Sequence, residues 1–153
     1  MQVATAGGRM TPRLVDSLYV EAMVLADEVR AYFDEHGRSE REALPPMQRV
    51  SFSCESLKVT TRLMHVIAWL LTRRALEAGE ITDDQARQPA RRLGAAADSD
   101  PDVLAQLPET ARALIESSRD LYMRIRRLDG GIDLPDRPTS PVRGLLHLLE
   151  SAL

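Results

Sequence analysis

The chain's single cysteine and one of its three histidines stand eleven residues apart in SCESLKVTTRLMHVIAWLL, residues 53 to 71. A thiolate beside an imidazole is the arrangement of a cysteine nucleophile. Eleven steps of about 100° return to nearly the same face of a helix, which favours the pair. The axial rise decides against it. At about 1.5 Å per residue, Cys54 and His65 stand roughly 16 Å apart, whereas proton transfer needs about 3 Å. Cys54 therefore reads as a small buried hydrophobe, and His65 as a partly buried helix histidine. His36 stands where a helix dipole favours imidazolium, and His147 lies in a proline-bounded tail.

The carboxylates do not form an acid–base pair either. Glu21 with Asp27 or Glu28, Glu55, Asp83-Asp84, and Glu116 with Asp120 recur at helical spacings. Glu116 and Asp120 are like charges one helical turn apart, offset by Arg112, Arg119 and Arg124. A solvated, charge-balanced face accounts for all of them. No HExxH, CxxC, GxxxxGKS/T, GxGxxG or GxSxG pattern occurs. The expectation is a protein with no catalytic residues, no cofactor and no metal.

Two basic runs remain, RQPARR at 87 to 92 and RDLYMRIRR at 119 to 127. The second interleaves arginine with Tyr122, as a nucleic-acid contact would. However, Leu121, Tyr122, Ile125 and Leu128 make one apolar stripe, which turns Tyr122 toward a core. Arg119, Arg126 and Arg127 are left as the cationic end of a helix. With 20 Lys and Arg against 23 Asp and Glu, the net charge is −3, a poor match for a phosphate backbone.

The elements that must position these residues are helices. Of 153 residues, 44% are hydrophobic and only 4% aromatic, which suits helices packed by Leu, Ala and Met. Thr11-Pro12 is a helix start, and the spacing of Leu14, Leu18, Ala22, Leu25 and Val29 predicts a helix over 12–36, stopped at His36-Gly37. Pro45-Pro46 opens a second helix over 46–78, about 50 Å long and ended by Gly79. Its stripe is Val50, Cys54, Leu57, Thr61, Met64, Ala68, Leu71 and Ala75. Leu63, Val66, Ile67, Trp69 and Leu70 widen it, so this half is apolar nearly all round and serves self-association or the core.

Thr82 to Gln85 reads as a capping box opening a short helix that Pro89 breaks. Residues 94–100 are a connector, and Asp100-Pro101 begins a turn or two. A third long helix covers 108–128 and stops at Asp129-Gly130-Gly131. The fold expected is all-α: a three-helix bundle with long antiparallel helices, short connecting helices and a flexible tail. Residues 1–11 form a leader, 12–130 the bundle, and 131–153 a Pro-containing linker with a short amphipathic helix.

The longest apolar run, Leu63 to Leu71, is under half of the ~20 residues a membrane span needs. MQVATAGGRMTP has no apolar run of signal-peptide length. A lone cysteine suits a reducing compartment. The expectation is a cytoplasmic protein.

Three segments, LYVEAMVLADEVRAYFD (18–34), SCESLKVTTRLMHVIAWLLTRRALEAGEIT (53–82) and SSRDLYMRIRRLD (117–129), together resemble the RcdA family of alphaproteobacteria, named as regulators of CtrA degradation. ESLKVTTRLM followed by AWLL and GE is the most specific part. The resemblance covers residues 14–130; Pro89 and the leucine-rich tail depart from it. It implies a three-helix bundle, commonly dimeric, acting as a non-enzymatic adaptor for the ClpXP protease. The implied partners are a ClpX unfoldase primed by a response-regulator-like adaptor, cargo such as cell-cycle or developmental regulators, and a cyclic-di-GMP-binding adaptor.

An adaptor needs docking surfaces rather than chemistry. The candidates are Arg119, Arg126 and Arg127, and the tail residues Leu145, Leu146 and Leu149, which could enter a groove as a helix. The alternative reading is a small helical DNA-associated transcription regulator.

Overall fold

The structure is a computed structural model that describes residues 10–132 together with 149, 151 and 152. Helix α1 spans Pro12–Ala31, capped by the Thr11 hydroxyl, which accepts from the Leu14 amide at 3.1 Å. Instead of stopping at His36-Gly37, the chain widens into a π-helical segment, Tyr32–His36, and continues as α2, Gly37–Glu42. Gly37 has an ordinary helical φ of −82°. Its missing side chain is explained by packing: a Cβ there would lie 2.9 Å from Cζ of Tyr32. At this wider turn Tyr32 and Phe33 both pack on Phe52, with ring centroids 6.1 and 5.2 Å away.

Helix α3, Pro46–Glu77, ends as the sequence predicts. Gly79 adopts φ +75°, and the Glu80 amide bonds the Ala75 carbonyl at 2.9 Å while the Gly79 amide bonds Leu76 at 3.1 Å. That is a Schellman stop, which requires a residue content in the left-handed region. The Thr82 capping box opens α4, Asp83–Ala86, and Pro89 follows in a 3-10 turn, Pro89–Arg91. Asp100 caps α5, Pro101–Leu104. Helix α6 runs over Glu109–Gly131, past the expected stop at Asp129.

Cross-links between the long helices set their directions. Asp16 pairs with Arg74 at 3.3 Å and Tyr32 packs on Phe52, so α1 runs antiparallel to α3. Glu21 pairs with Arg124, so α1 also opposes α6. Gln48 bonds Gln106 at 3.0 Å, Arg62 bonds Ser118 at 3.1 Å and Trp69 bonds Asp129 at 2.8 Å. Helices α3 and α6 therefore run in the same direction, because residues 79–108 carry the chain back along the bundle. The expected antiparallel packing belongs to α1 against both neighbours.

Among the described residues there is no strand, and the core is shared by α1, α3 and α6 through Val15, Ala22, Val59, Val66, Leu70, Ile115, Leu121 and Ile125. No helix of the described residues is long and apolar enough to cross a membrane. Most of the expected leader and linker lies outside the described residues.

Candidate functional site

The face of α3 that enters the core is not its leading sequence stripe. Phe52, Val59, Leu63, Val66, Trp69 and Leu70 are buried. Of the residues expected to serve self-association or the core, Leu63, Val66, Trp69 and Leu70 belong to the core, and Ile67 packs half-buried against it. The stripe through Val50, Leu57, Met64 and Leu71 faces outward, at 59%, 69%, 63% and 47% exposure. Cys54 lies on that outer stripe and is exposed, which corrects its expected burial. Both stripes obey a helical period, so only the placement of α1 and α6 separates them.

Cys54 and His65 do not come together. His65 lies under the backbone of Gly94, where a Cβ would come within 2.7 Å of the imidazole Nδ1. Tyr122 is core-facing as expected, and its hydroxyl donates to the Gly94 carbonyl at 2.7 Å. Among the described residues no group of three His, Cys, Asp or Glu side chains is placed to hold a metal.

The arginines of α6 do not form one patch. Arg119 is committed to Asp98 at 2.6 Å and to Glu116 at 3.2 Å. These bonds, Asp98 first, raise its pKa further. Arg124 holds Glu21 and, at 3.1 Å, Asp120. Only Arg126 and Arg127 remain as exposed cations near the end of α6. Between α1 and α6 an open cavity of about 640 Å³ carries Glu21, Glu28, Glu116 and Asp120 around Val24 and Leu25. Of the tail leucines, Leu149 is helical and exposed, while Leu145 and Leu146 lie outside the described residues.

Sequence reasoning missed a buried polar network. Glu55 and Arg62 are 2% and 1% exposed, so Glu55 is no part of a solvated face. Arg62 donates through Nη1 to Ser118 at 3.1 Å, and through Nη2 to Ser99 at 2.6 Å and the Ala97 carbonyl at 3.0 Å. Ser99 in turn donates to Glu55, whose other oxygen accepts from Lys58 at 2.9 Å. Burial pulls the Arg62 pKa down from its usual value, against the attraction of Glu55 and Asp98. The signal was available in the sequence: Glu55 and Arg62, seven apart, share a face with Phe52, Val59 and Val66. A second clamp closes the bundle end, where Asp129 accepts from Trp69 Nε1 at 2.8 Å and Arg92 Nε at 2.9 Å.

What the arrangement can do is bind. It presents a helical bundle, an outward apolar helix face about 32 Å long from Val50 to Leu71, and a separate pair of exposed arginines. No curated protein matches the chain. The model of a family described as proteins of unknown function (DUF1465) matches residues 7–153. Among solved structures, RcdA from Caulobacter crescentus CB15 is similar, at 31% identity and a TM-score of 0.65, over 83% of this chain and 95% of that one. With the family model spanning nearly the whole chain and this likeness spanning the bundle, the chain belongs to the DUF1465 family, the family of RcdA.

Proposed function

We propose that this protein is a non-enzymatic adaptor that delivers cargo, such as cell-cycle or developmental regulators, to a primed ClpXP protease. One observation carries the reading: the likeness to RcdA, whose family is named for the regulated degradation of CtrA, across 83% of this chain. The distribution of surfaces supports it. An adaptor raises the effective concentration of cargo beside the machine, and it needs two binding faces rather than a catalytic centre.

In this reading one partner is the ClpX unfoldase primed by a response-regulator-like adaptor, and another is the cargo. A cyclic-di-GMP-binding adaptor extends the chain of delivery. The protein works in the cytoplasm as a homodimer. Arg126, Arg127 and the tail residues Leu145, Leu146 and Leu149 are its candidate docking groups.

The test is degradation of a candidate developmental regulator by purified, primed ClpXP with and without this protein. Acceleration at sub-stoichiometric amounts, with the unfoldase's ATPase rate unchanged, is the expected result. No acceleration by the folded protein for any cargo that RcdA itself accelerates would overturn the reading.

A further inference from the structure

The groove between α1 and α6 combines an apolar strip with walls of one sign. Buried Leu25 lies at its base beside exposed Val24, and the small residue Ser117 borders it on α6. Val20 carries the apolar strip one turn further along α1 and is exposed as well. Valine is a weak helix former because its branched Cβ loses rotamer freedom. Two valines one turn apart on the open side of a helix make a face suited to being covered.

The four charged residues of the lining are all carboxylates, Glu21 and Glu28 on α1, Glu116 and Asp120 on α6. Arg124 pairs with Glu21 and Asp120, and Arg119 pairs with Glu116 while also holding Asp98. Four carboxylates less these two guanidiniums leave two negative charges, and Glu28 has no ion pair among the described residues. The other cations stand further off along the helices. Arg112 is one turn before Glu116, while Arg127 and Arg13 lie about two turns beyond Asp120 and Glu21. The middle of the groove therefore stays acidic.

We propose that this groove docks a basic amphipathic helix of a partner protein. Apolar side chains of that helix cover Val20, Val24 and Leu25, and its Lys or Arg side chains reach Glu28, Glu116 and Asp120. A fourth helix laid between two neighbours extends a three-helix bundle by the packing that already holds it. Exposed Ala113 and Ser117, one turn apart on α6, leave room for close approach. Charge selects the occupant. A second copy presenting this same face would set four carboxylates against four, which disfavours self-pairing here. The proposal deepens the adaptor reading and rests on it for taking the partner helix to belong to cargo.

The test is fluorescence anisotropy of a labelled helical peptide, with leucines along one face and flanking lysines, titrated with the full chain. Binding that weakens with added salt is expected, and a counterpart with glutamate for lysine should not bind. Glu28→Lys with Asp120→Lys should raise the peptide Kd at least about tenfold, and Val24→Ser at least about threefold. If the lysine pair fails to fold, Glu28→Gln with Asp120→Asn reads the same loss. Glu42→Lys with Glu80→Lys makes the equal charge change away from the groove and should leave the Kd unchanged. Equal losses in both lysine pairs would reduce the effect to net charge and overturn the groove, as would no binding by wild type.

Two other occupants are separable. Tighter peptide binding after alanine substitution of Leu145, Leu146 and Leu149 would give the groove to this chain's own tail, and a peptide that splits a dimer would give it to a second copy. Either result overturns an outside partner. Groove variants that lose the peptide yet still accelerate cargo degradation would overturn the groove's part in delivery while leaving the adaptor reading intact. Peptide binding by a chain that accelerates no cargo would support the groove and remove that reading.

Discussion

Arg62 Nη2 lies 2.6 Å from the Ser99 hydroxyl, a bond between residues 37 apart that ties the 94–100 connector to α3. Ser99 passes the interaction to Glu55, so a buried cation and a buried carboxylate are joined through one hydroxyl. Such a network rewards completeness: removing one charge strands the other away from water.

Arg62→Leu is therefore expected to cost about 3 kcal/mol of unfolding free energy, since buried Glu55 then keeps only Lys58 as a charged partner. Glu55→Leu with Arg62→Leu should cost much less than the single change, because no charge is then stranded. Urea denaturation of wild type, the single variant and the double variant measures both. An Arg62→Leu cost below about 1 kcal/mol would mean that the network is no stronger than a surface pair.

Two glycines should respond in opposite directions to alanine. At Gly94 a Cβ would strike the His65 ring at 2.7 Å, and overpacking of this kind costs about 1–3 kcal/mol. At Gly130, inside α6, a Cβ meets nothing within 4 Å, and Gly→Ala should gain up to about 1 kcal/mol. Thermal unfolding of both variants reads the contrast, and equal shifts would sink it. His65→Gln, which keeps a planar polar group under Gly94, should leave adaptor activity nearly unchanged.

The Asp98 carboxyl is held down to about 2, chiefly by the hydrogen bond from Arg119 and then by the Ser99 amide. A depressed folded-state pKa contributes stability above the unfolded value of about 3.9, and that stability is lost as pH falls through the folded value. The stability difference between wild type and Asp98→Asn should be constant above about pH 5 and shrink between about pH 4 and pH 2. Because Asp98 is exposed, the difference is small. A difference that grew on acidification would contradict the assigned cause.

The proposed docking groups can be separated from the fold. Alanine at Leu145, Leu146 and Leu149 should weaken cargo or protease binding and leave the thermal midpoint of the bundle unchanged. Arg126→Glu with Arg127→Glu should do the same through the exposed end of α6. Pull-down of primed ClpX against each variant decides between them, and undiminished binding removes that group from consideration.

Helix starts and the principal stop were legible because they are local chemistry. Thr11-Pro12, Pro45-Pro46, the Thr82–Gln85 box and Gly79 each satisfy backbone groups within a few residues of themselves. Two expected stops failed for an equally specific reason. Gly37 is a glycine because Tyr32 occupies the space of its side chain, and Asp129 is held by Trp69, Arg92 and Leu93 rather than ending α6. Residues that look like punctuation were recruited by packing, Gly37 by Tyr32 close by and Asp129 by partners far along the chain.

By itself the sequence determined that this protein is all-helical, where its long helices begin, and that α3 is apolar on more than one side. Tertiary structure alone decided which of those sides is covered. Val59 and Val66 face α1 and α6, while Leu57 and Met64 face outward, although all four satisfy the same helical spacing. It also decided that Glu55 and Arg62 are buried and that α3 and α6 run in the same direction. Periodicity states how residues are arranged around one axis, and the neighbours that bury them are fixed only when separate helices are brought together.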